Sequence, residues 1–104
     1  MPKISVLVAV YNAAEYLSHC LDSLLVQTYS NVEIICVDDA STDNSWAQLQ
    51  EYAARDGRIT VVRMDANRGQ AVARNVALRR STGDYVTLLD ADDWMAPDAL
   101  ERAM

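Results

Sequence analysis

The sequence predicts an α/β domain with a mostly parallel sheet and helices on both faces. Three observations carry that expectation. Four short apolar runs rich in β-branched residues recur along the 104 residues. Between them lie longer stretches with apolar residues at helical spacing, opened by residues that favour helix starts. The connections are short, so crossover helices must return the chain to each next strand.

Residues 4–10, ISVLVAV, are a continuous β-branched run, the pattern of a strand buried on both faces. The stretch 12–27, NAAEYLSHCLDSLLVQ, predicts the first helix. Asn12 is placed to cap it, and Glu15 three positions later completes a capping-box-like pattern. Leu17, Leu21, Leu24 and Leu25 would share one face. Residues 33–37, EIICV, form a second buried strand. Cap-type residues open 41–57, with Trp46, Leu49 and Ala53 on one stripe and Gly57 as the stop. Residues 58–62, RITVV, are a third strand. The third helix falls within 67–83, with Val72, Val76 and Ala77 inward, Arg79 and Arg80 favouring the C-terminal dipole, and Gly83 as the stop. Residues 84–89, DYVTLL, are the fourth strand, and Pro97 and Asp98 suit the start of a short last helix.

Composition excludes several classes. With 51% hydrophobic residues the chain is not disordered, and a net charge of −6 argues against a nucleic-acid surface. Every cation but Lys3 is an arginine, which a compositional bias explains as well as phosphate binding does. Cys20 and Cys36 are too few for a disulfide framework and match no zinc spacing. They read as reduced, half-buried thiols of a cytosolic protein. His19 reads as a surface or boundary residue without chemistry. Residues 4–10 lack the small-residue cleavage site of a signal peptide, and no stretch reaches transmembrane length.

Open α/β sheets bind ligands at the carboxyl ends of their strands. The first strand leaves into Tyr11-Asn12, the second into Asp38-Asp39-Ala40-Ser41, the third toward Asp65-Ala66-Asn67-Arg68-Gly69 and the fourth into Asp90-Ala91-Asp92-Asp93. One edge thus collects at least five carboxylates, with Arg63, Arg68 and Arg74 as candidate cations. Helix capping explains single oxygens at such exits, but not three carboxylates in four positions. A divalent cation does. Mg²⁺ and Mn²⁺ take one or two protein carboxylates and fill the remaining places with phosphate oxygens and water. An ion held this way would clamp a diphosphate and neutralise it as a leaving group. The chain has no P-loop and no dinucleotide fingerprint. A phospho-acceptor signalling domain would want its acidic pair after the first strand and a lysine after a late one. Here the pair follows the second strand, and the only lysine is Lys3.

From Ile4 to about Pro97 these motifs, in this order and spacing, closely resemble the N-terminal half of family 2 glycosyltransferases of the GT-A fold. The resemblance implies a nucleotide-sugar site, with a UDP-sugar as the usual donor. Val10-Tyr11-Asn12 matches the first loop, where Tyr11 borders the base. Asp39 matches the acid that accepts a hydrogen bond from the base, with Asp38 its neighbour. Asn67 and Gly69 match residues close to the nucleotide, and Arg74 one near the base or phosphates. Asp90-Ala91-Asp92 matches the D-x-D motif. Asp90 would face ribose and metal, and Asp92 would be the principal ligand of Mn²⁺ or Mg²⁺. Asp93 and Trp94 are common structural neighbours of that motif.

Residues 1–104 are therefore expected to form the single, truncated donor-binding part of an inverting enzyme. No catalytic residue is assigned in this chain. The general base and the site for a saccharide or lipid-linked acceptor are expected beyond residue 104. The rival expectation is a non-catalytic nucleotide-binding or assembly module of the same fold. A cytoplasmic location follows from the thiols, with attachment to the cytoplasmic membrane face left open for a longer protein. An open sheet edge would invite self-association.

Overall fold

β1 (Ile4–Val10) lies inside a four-stranded sheet of order β3-β2-β1-β4, in a computed structural model that describes residues 1–104. The other elements are α1 (Ala14–Leu25), β2 (Val32–Asp38), α2 (Ser45–Arg55), β3 (Ile59–Arg63), α3 (Gln70–Arg80), β4 (Tyr85–Leu88) and α4 (Ala99–Ala103). Every pairing is parallel. Ile4 to Val10 run in register with Val32 to Asp38, and β4 pairs along the other side of β1 from Ile4–Tyr85 to Leu7–Leu88. The expected α/β fold with a parallel sheet and helices on both faces is therefore the one observed.

Both faces of β1 are covered, which is why its run does not alternate. Val6, Val8 and Val10 point into a core with Leu17, Leu21 and Leu24 of α1 and Leu49 of α2. Leu7 points the other way, into a smaller core with Ile35, Val37 and Ala73 and Ala77 of α3. Leu17, Leu21 and Leu24 are each fully buried, and removal of such a side chain from water favours folding by about 1.5–3 kcal/mol. On α3 the inward positions differ from the expected set. Ala77 is buried as expected and Val76 packs at the margin, but Val72 is 39% exposed and Ala73 takes the inward place. Two alanines bring the α3 backbone close to the sheet, and a Val at the contact would hold it off.

Capping departs from expectation at both ends of the chain. Asn12 does not cap α1, and no side chain bonds back within that helix as a cap. Gly83 does not stop α3, which ends at Arg80 with extended backbone at Ser81. Gly83 instead lies against β1. Its N–H donates to Ser5 Oγ (2.9 Å), and an added Cβ would sit 2.8 Å from Ser5 N and 2.9 Å from Lys3 O. Beside it, the Glu33 carboxylate accepts from Ser5 Oγ and from the Thr82 hydroxyl and N–H, with Lys3 Nζ at 3.5 Å. Burial alone would push Glu33 up. The hydrogen bonds from Ser5 and Thr82, with the Lys3 charge, outweigh it and hold the carboxyl below its ordinary value.

The topology decides where a ligand can sit. The chain steps outward from β1 through β2 to β3, then returns to the far side of β1 as β4. The strand order reverses between β1 and β4, and a crevice opens outside their carboxyl ends. β4 is an edge strand, one residue shorter at each end than expected, with Tyr85, Val86 and Leu88 all exposed. No helix is long and apolar enough to cross a membrane.

Gly83→Ala should destabilise the chain by about 1–3 kcal/mol in urea unfolding, because besides the Ser5 hydroxyl the added Cβ meets two backbone atoms that cannot swing aside.

Candidate functional site

The crevice has a volume of about 470 Å³ and is lined by all four strand exits. Tyr11 and Asn12 come from β1, Asp39 from β2, Asn67 and Gly69 from the loop before α3, and Asp90 and Asp92 from the turn after β4. Of the residues singled out in the sequence, these seven meet there. Tyr16 and Gln70 also line it; their helical positions carried no separate signal in the sequence.

Asp39 is only 3% exposed, and its carboxylate is held rigidly. Oδ1 accepts from Arg68 N–H (2.8 Å) and Oδ2 from Gly69 N–H (3.0 Å). The loop before α3 thus docks on the exit of β2. Gly69 has φ +99°, in the region where a Cβ is strained, so this loop needs glycine at that position. Asp38 does not line the crevice. It is fully buried, with Oδ2 accepting from Ser41 N–H (3.1 Å) and facing Arg63 Nε at 3.7 Å. Arg63 lies over Trp46, with its guanidinium carbon 5.7 Å from the ring centroid. Asp38 therefore shapes the turn that presents Asp39.

The acidic turn already has one cation. Arg74 Nη2 donates to Asp90 Oδ1 at 2.8 Å, and Gln70 Nε2 lies 3.4 Å from the same oxygen. Both donors come from α3, so the helix behind β1 supplies a positive partner to the exit of β4. Arg68 pairs with Asp65 instead (3.4 Å). Ala91 is buried in the core and anchors the turn, while Asp92 and Asp93 stay exposed. No group of three or more His, Cys, Asp or Glu side chains is gathered for an ion. Two carboxylates at one strand exit fit Mg²⁺ or Mn²⁺, which use few protein oxygens and complete their shell with phosphate and water.

α1 closes the turn from behind. Cys20 Sγ lies 3.6 Å from the Asp90 carbonyl oxygen, and His19 stacks on Trp94 with ring centroids 5.3 Å apart. His19 is exposed, as expected, but its ring covers one face of Trp94. Both thiols are free and fully buried, where half-buried ones were expected. Burial pushes the Cys20 thiol up to about 12, reinforced by the negative charges of Asp93, Asp92 and Asp90. Burial likewise pushes Cys36 up.

An open parallel sheet with paired carboxylates in its switch-point crevice defines a ligand-binding α/β protein. The chain belongs to glycosyl transferase family 2, which residues 5–104 match. It is 46% identical over 99 residues to the glycosyltransferase GlyA of Streptococcus pneumoniae, covering 95% of this chain and 14% of GlyA. It is 41% identical over 103 residues to the poly(ribitol-phosphate) beta-glucosyltransferase of Bacillus spizizenii, covering 96% of this chain and 16% of that protein. Among solved structures it resembles residues 1–349 of S. aureus TarS in complex with UDP-GlcNAc, with a TM-score of 0.90 and 33% identity over 97% of this chain and 30% of that TarS chain. It also resembles the mannosyltransferase PcManGT of Pyrobaculum calidifontis in complex with GDP-Man and Mn²⁺. That match has a TM-score of 0.90 and 36% identity over 98% of this chain and 31% of the other. The chain spans well under half the length of each of these proteins.

Neither thiol should react with Ellman's reagent in the folded chain at pH 8, and both should react after unfolding in denaturant. A second expectation concerns acid. Burial pushes Asp43 up, but hydrogen bonds from Ser45 and Ala14 outweigh it and hold the carboxyl below its ordinary value, as at Glu33. Their stabilisation is present above the unfolded value near 4 and is lost as pH falls below it. Melting temperature should thus drop more steeply from about pH 4 to 2 in the parent than in a Glu33→Gln, Asp43→Asn variant.

Proposed function

We propose that this chain is the donor-binding part of a glycosyltransferase catalytic domain. The whole enzyme would transfer a sugar from a nucleotide diphosphate, with UDP as the nucleotide, to an acceptor hydroxyl. The observation that carries this reading is the convergence of Tyr11, Asp39, Asn67, Gly69, Asp90 and Asp92 on one crevice. The UDP-GlcNAc bound to TarS and the GDP-Man and Mn²⁺ bound to PcManGT support it.

In this reading each residue has a task that its position suits. Tyr11, half exposed at the exit of β1, offers an aromatic face to the base. Asp39 accepts a hydrogen bond from the base through lone pairs left free by the Arg68 and Gly69 amides. Asn67 and the Cβ-free Gly69 let the backbone approach the nucleotide. Asp38 contributes indirectly, by holding the turn beneath Asp39. Asp90 faces the ribose, with Arg74 as its counter-charge near the phosphates. Asp92, with Asp90, would hold Mn²⁺ or Mg²⁺, which when bound would neutralise the leaving diphosphate.

The reaction inverts the anomeric centre. The acceptor oxygen bonds to the anomeric carbon as the bond to the diphosphate oxygen breaks, and a base takes the hydroxyl proton. No residue of this chain is assigned as that base, and its absence typically costs roughly 10²–10⁴-fold. Residues 1–104 would therefore bind donor but turn it over slowly or not at all. The acceptor would be a saccharide or a lipid-linked one, and the protein would work in the cytoplasm or at the cytoplasmic face of a membrane. The exposed edge at β4 favours self-association at high concentration.

Calorimetric titration with UDP in the presence of Mn²⁺ should give heat that EDTA abolishes, and Asp92→Ala should weaken binding at least tenfold. Metal-dependent binding that survives Asp92→Ala would place the ion elsewhere and favour a module that collects cations without chemistry.

A further inference from the structure

The first turns of α1 and α2 carry N–H groups that an ordinary N-cap would satisfy from within the same helix. Those at the start of α1 are satisfied across, from residues at the start of α2, while Ser45 N–H, the first amide of α2, donates to Asp43 Oδ1 (2.9 Å). Asn12, just before α1, accepts at Oδ1 from Thr42 N–H (2.8 Å) and Asp43 N–H (3.3 Å), which lead into α2. In return, Asp43 Oδ2 accepts from Ala14 N–H (3.2 Å) and Ser45 Oγ from Ala13 N–H (3.0 Å), both at the start of α1. The Asn12 N–H donates to Ser41 Oγ at 2.9 Å, and Gln48 Nε2 donates to Ala14 O at 3.1 Å.

These crossed caps hold two backbone positions that alone would resist. Asn12 has φ +48° and Ala40 has φ +58°, and alanine in that region is strained. The two positions adjoin Tyr11 and Asp39. Asp39 in turn holds the Arg68 and Gly69 amides. Three of the four strand exits are thus linked through one set of hydrogen bonds, whose first member is Asn12.

We propose that Asn12 and Asp43 are positioning residues for the nucleotide base. They act through Ser41 and Ala40 to fix Asp39, and through Asp39 to fix the loop at 68–69. This inference rests on the donor-site reading for its functional consequence, but its structural part can be measured without a ligand.

The test compares four variants in the folded chain at a temperature where none unfolds. Asn12→Gly keeps the left-handed backbone and deletes the acceptor. Asn12→Asp restores an acceptor. Asp43→Asn keeps one accepting oxygen of two and serves if Asn12→Gly does not fold. Asp39→Ala removes the base contact itself. Amide hydrogen exchange at Arg68 and Gly69 is read by NMR, and UDP affinity with Mn²⁺ by calorimetry.

Asn12→Gly should speed exchange at Arg68 and Gly69 and weaken UDP, each about tenfold, and Asn12→Asp should recover most of both. Amides of β1 and β2 should keep their protection. The proposal is overturned if exchange at Arg68 and Gly69 is unchanged, or if every amide speeds up alike, which marks loss of general stability. UDP affinity that survives Asp39→Ala would instead sink the donor-site reading, while faster exchange in Asn12→Gly would still establish the positioning. Lost UDP binding in Asp39→Ala, with wild-type exchange and affinity in Asn12→Gly, would keep that reading and overturn this proposal.

Discussion

β1 must bury both of its faces and both of its edges, and the rest of the molecule follows from that constraint. Its seven residues include only one polar side chain, Ser5, which is itself fully buried and bonded to Glu33. Two faces need two helix layers, so α1 and α2 cover one side and α3 the other. Two edges need two neighbours, and parallel β2 and β4 supply them. With every strand parallel, all four carboxyl ends open on one side. The crevice there is a consequence of covering β1.

That edge carries a dense set of negative charges, and the structure handles them in different ways. Asp38 is buried against Arg63 and Ser41, and Asp39 is bonded by two backbone amides. Asp90 is paired with Arg74, and Asp92 remains exposed. The gradient from buried to exposed runs from β2 toward β4. In the proposed donor site, carboxylates that would face the base are held by the protein itself, and those that would face a diphosphate and its ion are left for partners that arrive with the ligand.

The crossed caps between α1 and α2 matter for the same reason. A loop that must present a carboxylate in one place cannot rely on its own short backbone, least of all with Ala40 at φ +58°. Hydrogen bonds from a second loop, about thirty residues away in the chain, over-determine the turn. Strain of this sort persists where the surroundings enforce it, and such positions cluster beside functional sites.

Much of this was legible in the chain because it is local. Period and β-branching marked the four strands, Leu17, Leu21 and Leu24 marked the buried face of α1, and the acidic exits marked the edge where the crevice opens. Other assignments failed where a local rule competed with a distant partner. Asn12 had the right spacing to cap its own helix, yet its side-chain Oδ1 accepts from the Thr42 and Asp43 amides instead. Gly83 looked like a helix stop, yet it is glycine because Lys3 and Ser5 leave no room for a side chain. Val72 had the spacing of an inward residue, yet the gap between α3 and the sheet admits only Ala73 and Ala77. The sequence by itself determined the strand and helix order and gathered the polar residues at the strand exits, since periodicity and turn chemistry act within a few residues. Only the tertiary structure decided which exit meets which: that Arg74 answers Asp90, that Asp39 holds Gly69, and that Asp43 caps α1 from across. Those contacts join residues 16 to about 30 positions apart, and their geometry exists only once the sheet has brought the strand ends together.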